Sequence, residues 1–545
     1  MKYIKNILFI AFAIGFLGLS SCTNNFDDYN QDPYGVTNEL KKSDWIYLKA
    51  FFPQMQQSIY YNNSGGNWEW QIGQNLNGDL FSGYLTPPTP YNNDKNNINY
   101  FMMEGWNGFA MGLYNNNIMK PWMNVKQLTL DKKEFLDVYA VALILKVAGM
   151  HRSTDIYGPI PYSKYGQGGV SAAYDSQEAI YNQFFAELDE AVKYLTAHLS
   201  GDERSVNRLG AADLIYKGDY TKWIQWANSL RLRLAIRISK VNPEKAKQEG
   251  EKAMTNAYGV LERNSQNVLV PTKNMGHPLT IVAYDYNDVR MSADMESILT
   301  GLKDPRIGRY FTKATDTDSN IKDKYRGVRQ GTYMVNKELR VKYSNVGDIY
   351  NMSNRYITPI TLMTAAEVYF LRAEGALRGW NNMGGTPEKL YNAGVETSMG
   401  QWDAPGAAQY LADATSKPSD YVDYKNRAHD AKAVSTVTVK WDENADKEAK
   451  LEKIITQKWI AMFPEGMEAW AEFRRTSYPK LFPILENNSA GEIDSKVMIR
   501  RLRFPEGERN NNKAEVDKAI QMLKGAKDSP GTQLWWDTNT GTSNF

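Results

Sequence analysis

Lys447-Glu-Ala-Lys-Leu451-Glu-Lys-Ile454-Ile455-Thr-Gln-Lys-Trp459-Ile-Ala-Met462-Phe463 is the stretch whose reading decides the fold. Leu451, Ile454, Ile455 and Met462 recur at three- and four-residue spacing and form one apolar stripe, the pattern of an amphipathic helix. A strand-like run, Val434 to Trp441, precedes it, and a hairpin-like stretch, Glu465 to Leu481, follows.

The same helical spacing recurs upstream. Trp45, Leu48, Phe52 and Met55 mark a helix over 44–60, and Phe135, Val138, Leu143 and Val147 one over Lys132 to Met150, broken from His151 to Tyr162. Asp175 with Glu178 reads as a capping box for a helix carrying Ile180, Phe184, Leu188 and Leu195. Asp219 caps another, with Trp223, Trp226, Leu230 and Leu234 on one face and Arg231, Arg233 and Arg237 on the other. That arginine row serves either an anionic ligand or the carboxylates of a neighbouring helix, and the second use is the commoner. Thr364 with Glu367 opens a helix ending near Gly379, and Thr386-Pro387 starts the next, with proline where a missing N–H costs nothing. Pairs of helices joined by short links are αα-hairpins. No strict repeat is present. The loose recurrence fits degenerate tetratricopeptide-like packing with irregular segments inserted, so the expected fold is mostly α.

Two irregular segments stand out as candidate recognition surfaces. Ten asparagines lie from Asn62 to Asn99, broken by Gly65-Gly66 and Pro87-Pro88-Thr89-Pro90 and interleaved with Trp68, Trp70, Phe81, Tyr84 and Tyr91. Within it, Trp68 to Gly83 reads as a short helix and Leu85 to Asn99 as a long loop, of the kind that is often functional. The second segment is Ala283-Tyr284-Asp285-Tyr286-Asn287-Asp288-Val289-Arg290, before a helix over Ser292 to Leu302. The chain holds 34 Tyr and 14 Trp. A flat apolar face with one polar handle suits a sugar ring, and amides bond hydroxyls without charge, although large helical folds also use Tyr and Trp as core filler. The candidate ligand residues are Trp68, Tyr84, Tyr91, Asn92, Asn93, Asp94, Tyr284, Asp285, Tyr286 and Arg290.

The N-terminus reads as an export signal. Met1, Lys2 and Lys5 precede an uncharged run, Ile7 to Leu19, shorter than the roughly 20 apolar residues of a spanning helix. Leu19-Ser-Ser-Cys22 resembles a bacterial lipobox, and Cys22 is the single cysteine among 545 residues. Residues 1–21 are therefore expected to be a lipoprotein signal peptide and Cys22 the acylated anchor. Residues 22–40 are expected to be a tether, and residues 41–545 a single domain. A net charge of +2 argues against nucleic acid as a partner. The four histidines, His151, His198, His277 and His429, are scattered, which disfavours a zinc cluster. No cofactor is implied. Scattered Asp and Asn would suit a structural calcium ion, but no loop has EF-hand spacing.

Several stretches together resemble the SusD/RagB family of outer-membrane lipoproteins. They include Ala142 to Lys146 leading into Thr154-Asp-Ile-Tyr157-Gly-Pro-Ile-Pro161-Tyr-Ser163, and Trp223 through Arg237. Lys303-Asp-Pro-Arg306 and Thr364 through Glu374 with Arg378-Gly-Trp380 follow, then Ile455 through Arg475-Thr476 with Tyr478-Pro479, and Phe504-Pro505 with Glu508. The resemblance implies four tetratricopeptide-like hairpins under an irregular ligand face. It also implies a surface-exposed lipoprotein that captures glycan for a SusC-like TonB-dependent barrel. These motif stretches are scaffold, and individual ligand residues are not transferred by the resemblance.

Two other functions remain open at this stage. A glycoside hydrolase needs two carboxylates about 5–9.5 Å apart in a cleft, and Glu465, Glu468 and Glu472 share one helix. Acids early in a helix also suit its dipole, and Arg474 and Arg475 offer partners. A peptide-binding lid or scaffold would use the groove of the hairpins instead.

Overall fold

The structure, a computed structural model, describes residues 45–60, 67–168, 171–273, 275–334, 336–539, 541 and 543–545. The expected signal peptide, the Cys22 anchor and the tether lie outside the described residues. Of the unit Met1–Ala50, the described part is Trp45 and the short helix Ile46–Lys49 with its flanking Ala50. Phe51–Phe545 forms the other and is the body of the protein.

Among the described residues, eight long helices carry the body: α1 (Leu136–Tyr157), α2 (Gln177–Ser200), α3 (Tyr220–Arg237), α4 (Pro243–Thr255), α5 (Ala365–Leu377), α6 (Pro387–Gln401), α7 (Lys447–Ala461) and α8 (Gly466–Thr476). They follow one another as pairs. α1 packs on α2, α3 on α4 and α5 on α6, and the pairs stack through α2 on α3, α3 on α5 and α5 on α7. This is the tetratricopeptide-like arrangement. The last pair differs, because α8 turns away to lie against the irregular segment Gln71–Asp79.

The caps are largely those the sequence indicates. Asp219 accepts from Lys222 N at 3.2 Å and Thr386 from Lys389 N at 3.3 Å. Thr364 Oγ1 accepts from Glu367 N at 3.1 Å, but the Glu367 carboxylate does not close the box; it forks onto Arg233 at 2.8 and 2.7 Å. At α2 the cap is Ser176, accepting from Ala179 N, whereas Asp175 instead accepts from Ser163. The strand-like run Val434 to Trp441 is a loop without ladder bonds.

α1 runs seven residues beyond its expected end. His151 to Tyr157 stays helical until Gly158, whose φ of 85° stops it. The sequence signal there is misleading because the polar side chains are buried instead of solvated, and Arg152 and Asp155 find distant partners. Arg152 pairs with Glu465. Asp155 accepts from Tyr181 Oη at 2.7 Å and Trp536 Nε1 at 2.8 Å.

The arginine row of α3 pairs with carboxylates of neighbouring elements. Arg231 meets Glu249 and Asp189, Arg233 meets Glu367, and Arg237 meets Glu468 and Glu472. The pairing spreads through Lys458–Glu472 at 3.0 Å and Arg475, which takes Glu374 and Glu472 at 2.7 Å each. Burial alone would raise the pKa of Glu468, but Arg237, Arg233 and Lys458 outweigh it and hold it at about 2. A buried network of this kind fixes which helix faces which, and opening one pair strands a charge.

Candidate functional site

The irregular face is built by two segments about 200 residues apart. From Asn67–Trp70 the chain enters a wider helical turn, Gln71–Asp79, rich in amides. Gln74 Nε2 and Asn75 Nδ2 both donate to Asp79, at 2.8 and 3.1 Å, and Asn77 Nδ2 reaches back to Ile72 O at 2.7 Å. Side chains that compete for backbone and local acceptors favour such departures from α geometry. A short strand, β1 (Leu85–Thr86), then pairs antiparallel with Arg290–Met291 in the register Leu85↔Met291 and Thr86↔Arg290. Arg290 closes the second candidate segment, so the structure joins the two surfaces into one.

Asp288 is the joint between them. It accepts from Thr89 Oγ1 at 2.7 Å and from Gln71 Nε2 at 3.4 Å, and pairs with Lys337 Nζ at 2.5 Å. Lys337 also donates to Tyr286 O at 2.6 Å. Gln71 Nε2 donates to Tyr91 Oη at 2.9 Å, and the Tyr91 ring meets Trp106 edge-on at 5.5 Å. Burial, and next the charge of Asp288, push the Tyr91 hydroxyl well above its ordinary pKa, so it remains a neutral hydroxyl at any physiological pH. Trp68 lies one turn before Gln71, is 51% exposed, and packs its ring 5.3 Å from Phe109.

Asn92, Asn93 and Asp94 take left-handed conformations in succession, φ 50°, 52° and 60°. Asn and Asp tolerate that region better than other non-glycine residues, and the turn presents Asn92 and Asn93 to solvent. Asp94 Oδ1 accepts from Met334 N at 3.1 Å, which ties the turn to Tyr333, itself 47% exposed. Asn488 completes this corner, its N bonding Asn99 O at 2.7 Å and its Nδ2 donating to Tyr333 Oη at 3.3 Å.

Several expectations need correction. Tyr84 is 0% exposed: its hydroxyl donates to Trp459 O, and its ring sits 4.9 Å from the Trp459 ring. Arg290 is buried, with its guanidinium turned into its own loop onto Val289 O and Asn287 Oδ1, both at 2.6 Å. Neither reaches the surface. Tyr284 is half-buried, its hydroxyl donating to Val346 O at 2.6 Å, while Asp285 is exposed and Tyr286 half-buried. The asparagine density is mostly structural. Asn96 caps the turn Asn97–Asn99, and Asn97 Nδ2 ties Asn77, Leu76 and Asn107 together. Exposed aromatics that the pattern did not single out include Tyr333 and Phe101. Both sit in segments without hydrophobic period, where sequence offers no sign of which side faces water.

The acids considered for hydrolysis are locked in the scaffold. Glu465 faces Arg152, Glu468 faces Arg237, and Glu472 is shared by Arg475, Lys458 and Arg237, all buried. His277 is buried and its pKa pressed to about 3 by desolvation. Among the described residues, no group of three or more His, Cys, Asp or Glu is placed to hold a metal ion, and no helix is long and apolar enough to cross a membrane.

The chain is thus a scaffold of stacked helix hairpins that bears one irregular face with exposed aromatic rings, amides and acids. Residues 28–537 match the family described as SusD-like, the SusD and RagB outer membrane lipoproteins, and the chain belongs to that family. Among solved structures, a chitin-binding SusD homologue from Flavobacterium johnsoniae is 43% identical, with a TM-score of 0.86 over 92% of this chain and 100% of that one. A SusD homologue from Bacteroides vulgatus is 39% identical, with a TM-score of 0.86 over 92% and 99%. A SusD-like protein from Bacteroides thetaiotaomicron is 35% identical, with a TM-score of 0.83 over 91% and 99%. No curated protein matches the chain.

Proposed function

We propose that this protein binds glycan non-covalently on the face joined at Asp288, as a cell-surface lipoprotein of the outer membrane, and passes it to a SusC-like TonB-dependent transporter. In this reading Cys22 is the lipid anchor, the chain performs no bond cleavage and it requires no cofactor. The observation that carries the reading is the union of two irregular segments into one face. Trp68 and Tyr333 are its exposed rings, and Tyr91, Asn92, Asn93, Asp94, Asp285 and Tyr286 lie around the joint. Rings there would stack on the C–H faces of sugars, and the amides and acids would accept or donate to hydroxyls. The likeness to a chitin-binding relative makes chitin oligosaccharides the first ligands to try.

Calorimetric titration of the full chain with chitin oligosaccharides, then with other neutral glycans, tests the reading. Saturable binding that weakens on Trp68→Ala and on Tyr333→Ala is expected. Binding that survives both substitutions unchanged would place the ligand elsewhere. Release of shortened oligosaccharide from a glycan panel would instead revive a hydrolase.

A further inference from the structure

Away from that face, the link between α3 and α4, the end of α5, the start of α7 and residues 544–545 border an open cavity of about 520 Å³. That volume lies in the range of small-molecule sites. Among the described side chains that line it, Lys240, Lys247, Arg378 and Lys447 are cationic and Glu244 is acidic. Two of the four cations are compensated. Lys247 faces Glu251 at 3.7 Å, and Arg378 donates Nε to Glu374 at 2.9 Å and Nη1 to Asn544 O at 3.1 Å. Glu374 is itself divided, because Arg475 binds both its oxygens at 2.7 Å.

Lys240 is different. Its Nζ is shielded from water and makes no hydrogen bond among the described residues. A shielded ammonium without a partner is costly. Burial, and then the charge of Arg475, lower its pKa, while Glu448 and Asp537 act the other way without bonding it. Lys447 is exposed and has no carboxylate within ion-pair distance among the described residues; its Nζ lies 5.4 Å from the centre of the Phe545 ring. Trp380 and Phe545 supply apolar wall.

We infer that this cavity is a second binding site, for a small ring-bearing anion of sugar size carrying a carboxylate, sulfate or phosphate group. Lys240 and Lys447 meet the charge, and the wall of Phe545 and Trp380 takes the ring. The site shares no residue with the face joined at Asp288, so it stands or falls independently of the glycan reading.

Glucuronate, glucose and inorganic sulfate, titrated separately into the full chain in detergent, test the proposal. Glucuronate should bind saturably and glucose should not. Lys240→Gln and Lys447→Gln should each weaken glucuronate about tenfold, equal to ~1.4 kcal/mol, while Trp68→Ala leaves it unchanged. Lys447 is exposed, so its variant should fold even if Lys240→Gln does not, and thermal unfolding of each variant checks this. Absence of glucuronate binding, or binding indifferent to Lys447→Gln, overturns the site. Inorganic sulfate binding as tightly as glucuronate overturns the role assigned to the ring.

Discussion

Gly466 and Asp79 are in backbone contact: a Cβ built on Gly466 would lie 2.3 Å from Asp79 Oδ1 and 2.5 Å from its N and Cα. One residue along each segment, a Cβ on Gly78 would lie 2.7 Å from Met467 Sδ and 2.8 Å from Met467 N. Two glycines thus let the start of α8 press against the wide turn Gln71–Asp79. This contact seats the first segment of the irregular face on the helical scaffold.

Gly466→Ala should therefore destabilise the protein. Overpacking against backbone typically costs about 1–3 kcal/mol, because Asp79 N and Cα cannot swing away. Gly507→Ala is the control, having open space around it and no positive φ. Denaturant unfolding should show a lower midpoint for Gly466→Ala alone. Equal midpoints would mean that the junction relaxes freely.

The same junction carries a pH dependence. Burial pushes the Asp79 carboxyl from 3.8 up to about 7. A raised acid binds its proton more tightly in the folded state, so its contribution is full below about pH 4 and fades as pH climbs to about 7. Glu296, raised to about 7 chiefly by burial, acts in the same sense. Glu468 opposes them: held at about 2, it contributes above pH 4.5 and loses that contribution as pH falls toward 2. Thermal stability measured against pH should fall between about 4 and 7 less steeply in Asp79→Asn than in the parent. An unchanged slope would remove Asp79 from the account.

Arg237→Met tests the scaffold network. It removes the nearer partner of Glu468, leaving Arg233 at 3.8 Å, and one partner of Glu472 deep in the protein. Breaking a buried pair on one side costs about 3–5 kcal/mol. A loss below about 1 kcal/mol, the scale of surface pairs, would show that Arg233, Lys458 and Arg475 carry those glutamates without it.

Tyr84 and Trp68 separate surface from core. Tyr84→Phe removes a buried hydroxyl from Trp459 O, so it should lower stability by about 1 kcal/mol and leave glycan affinity unchanged. Trp68→Ala should do the reverse, costing about tenfold in affinity, near 1.4 kcal/mol, with little change in unfolding. Titration and melting of both variants give the comparison. A Tyr84→Phe variant that loses ligand at unaltered stability would restore Tyr84 to the site.

By itself the sequence determined most of the long helices, the caps Asp219, Thr364 and Thr386, and the pairing of α5 with α6, because these depend on residues close in the chain. Thr386-Pro387 and Asp219 act as local signals in the structure as they do in the sequence. It also marked the two irregular segments, because missing periodicity is a local property as well. Tertiary structure alone decided which polar residues are buried. His151 to Tyr157 continues α1 because Glu465, Tyr181 and Trp536 satisfy its polar groups from afar. Tyr84 and Arg290 turn inward while Tyr333 turns out. The joining of the two segments through Thr86 and Arg290, and through Thr89 and Asp288, is likewise a long-range pairing. A residue's type gives its affinity for water or for a ring, but exposure depends on partners brought from hundreds of positions away, and those partners leave no mark on its own neighbourhood.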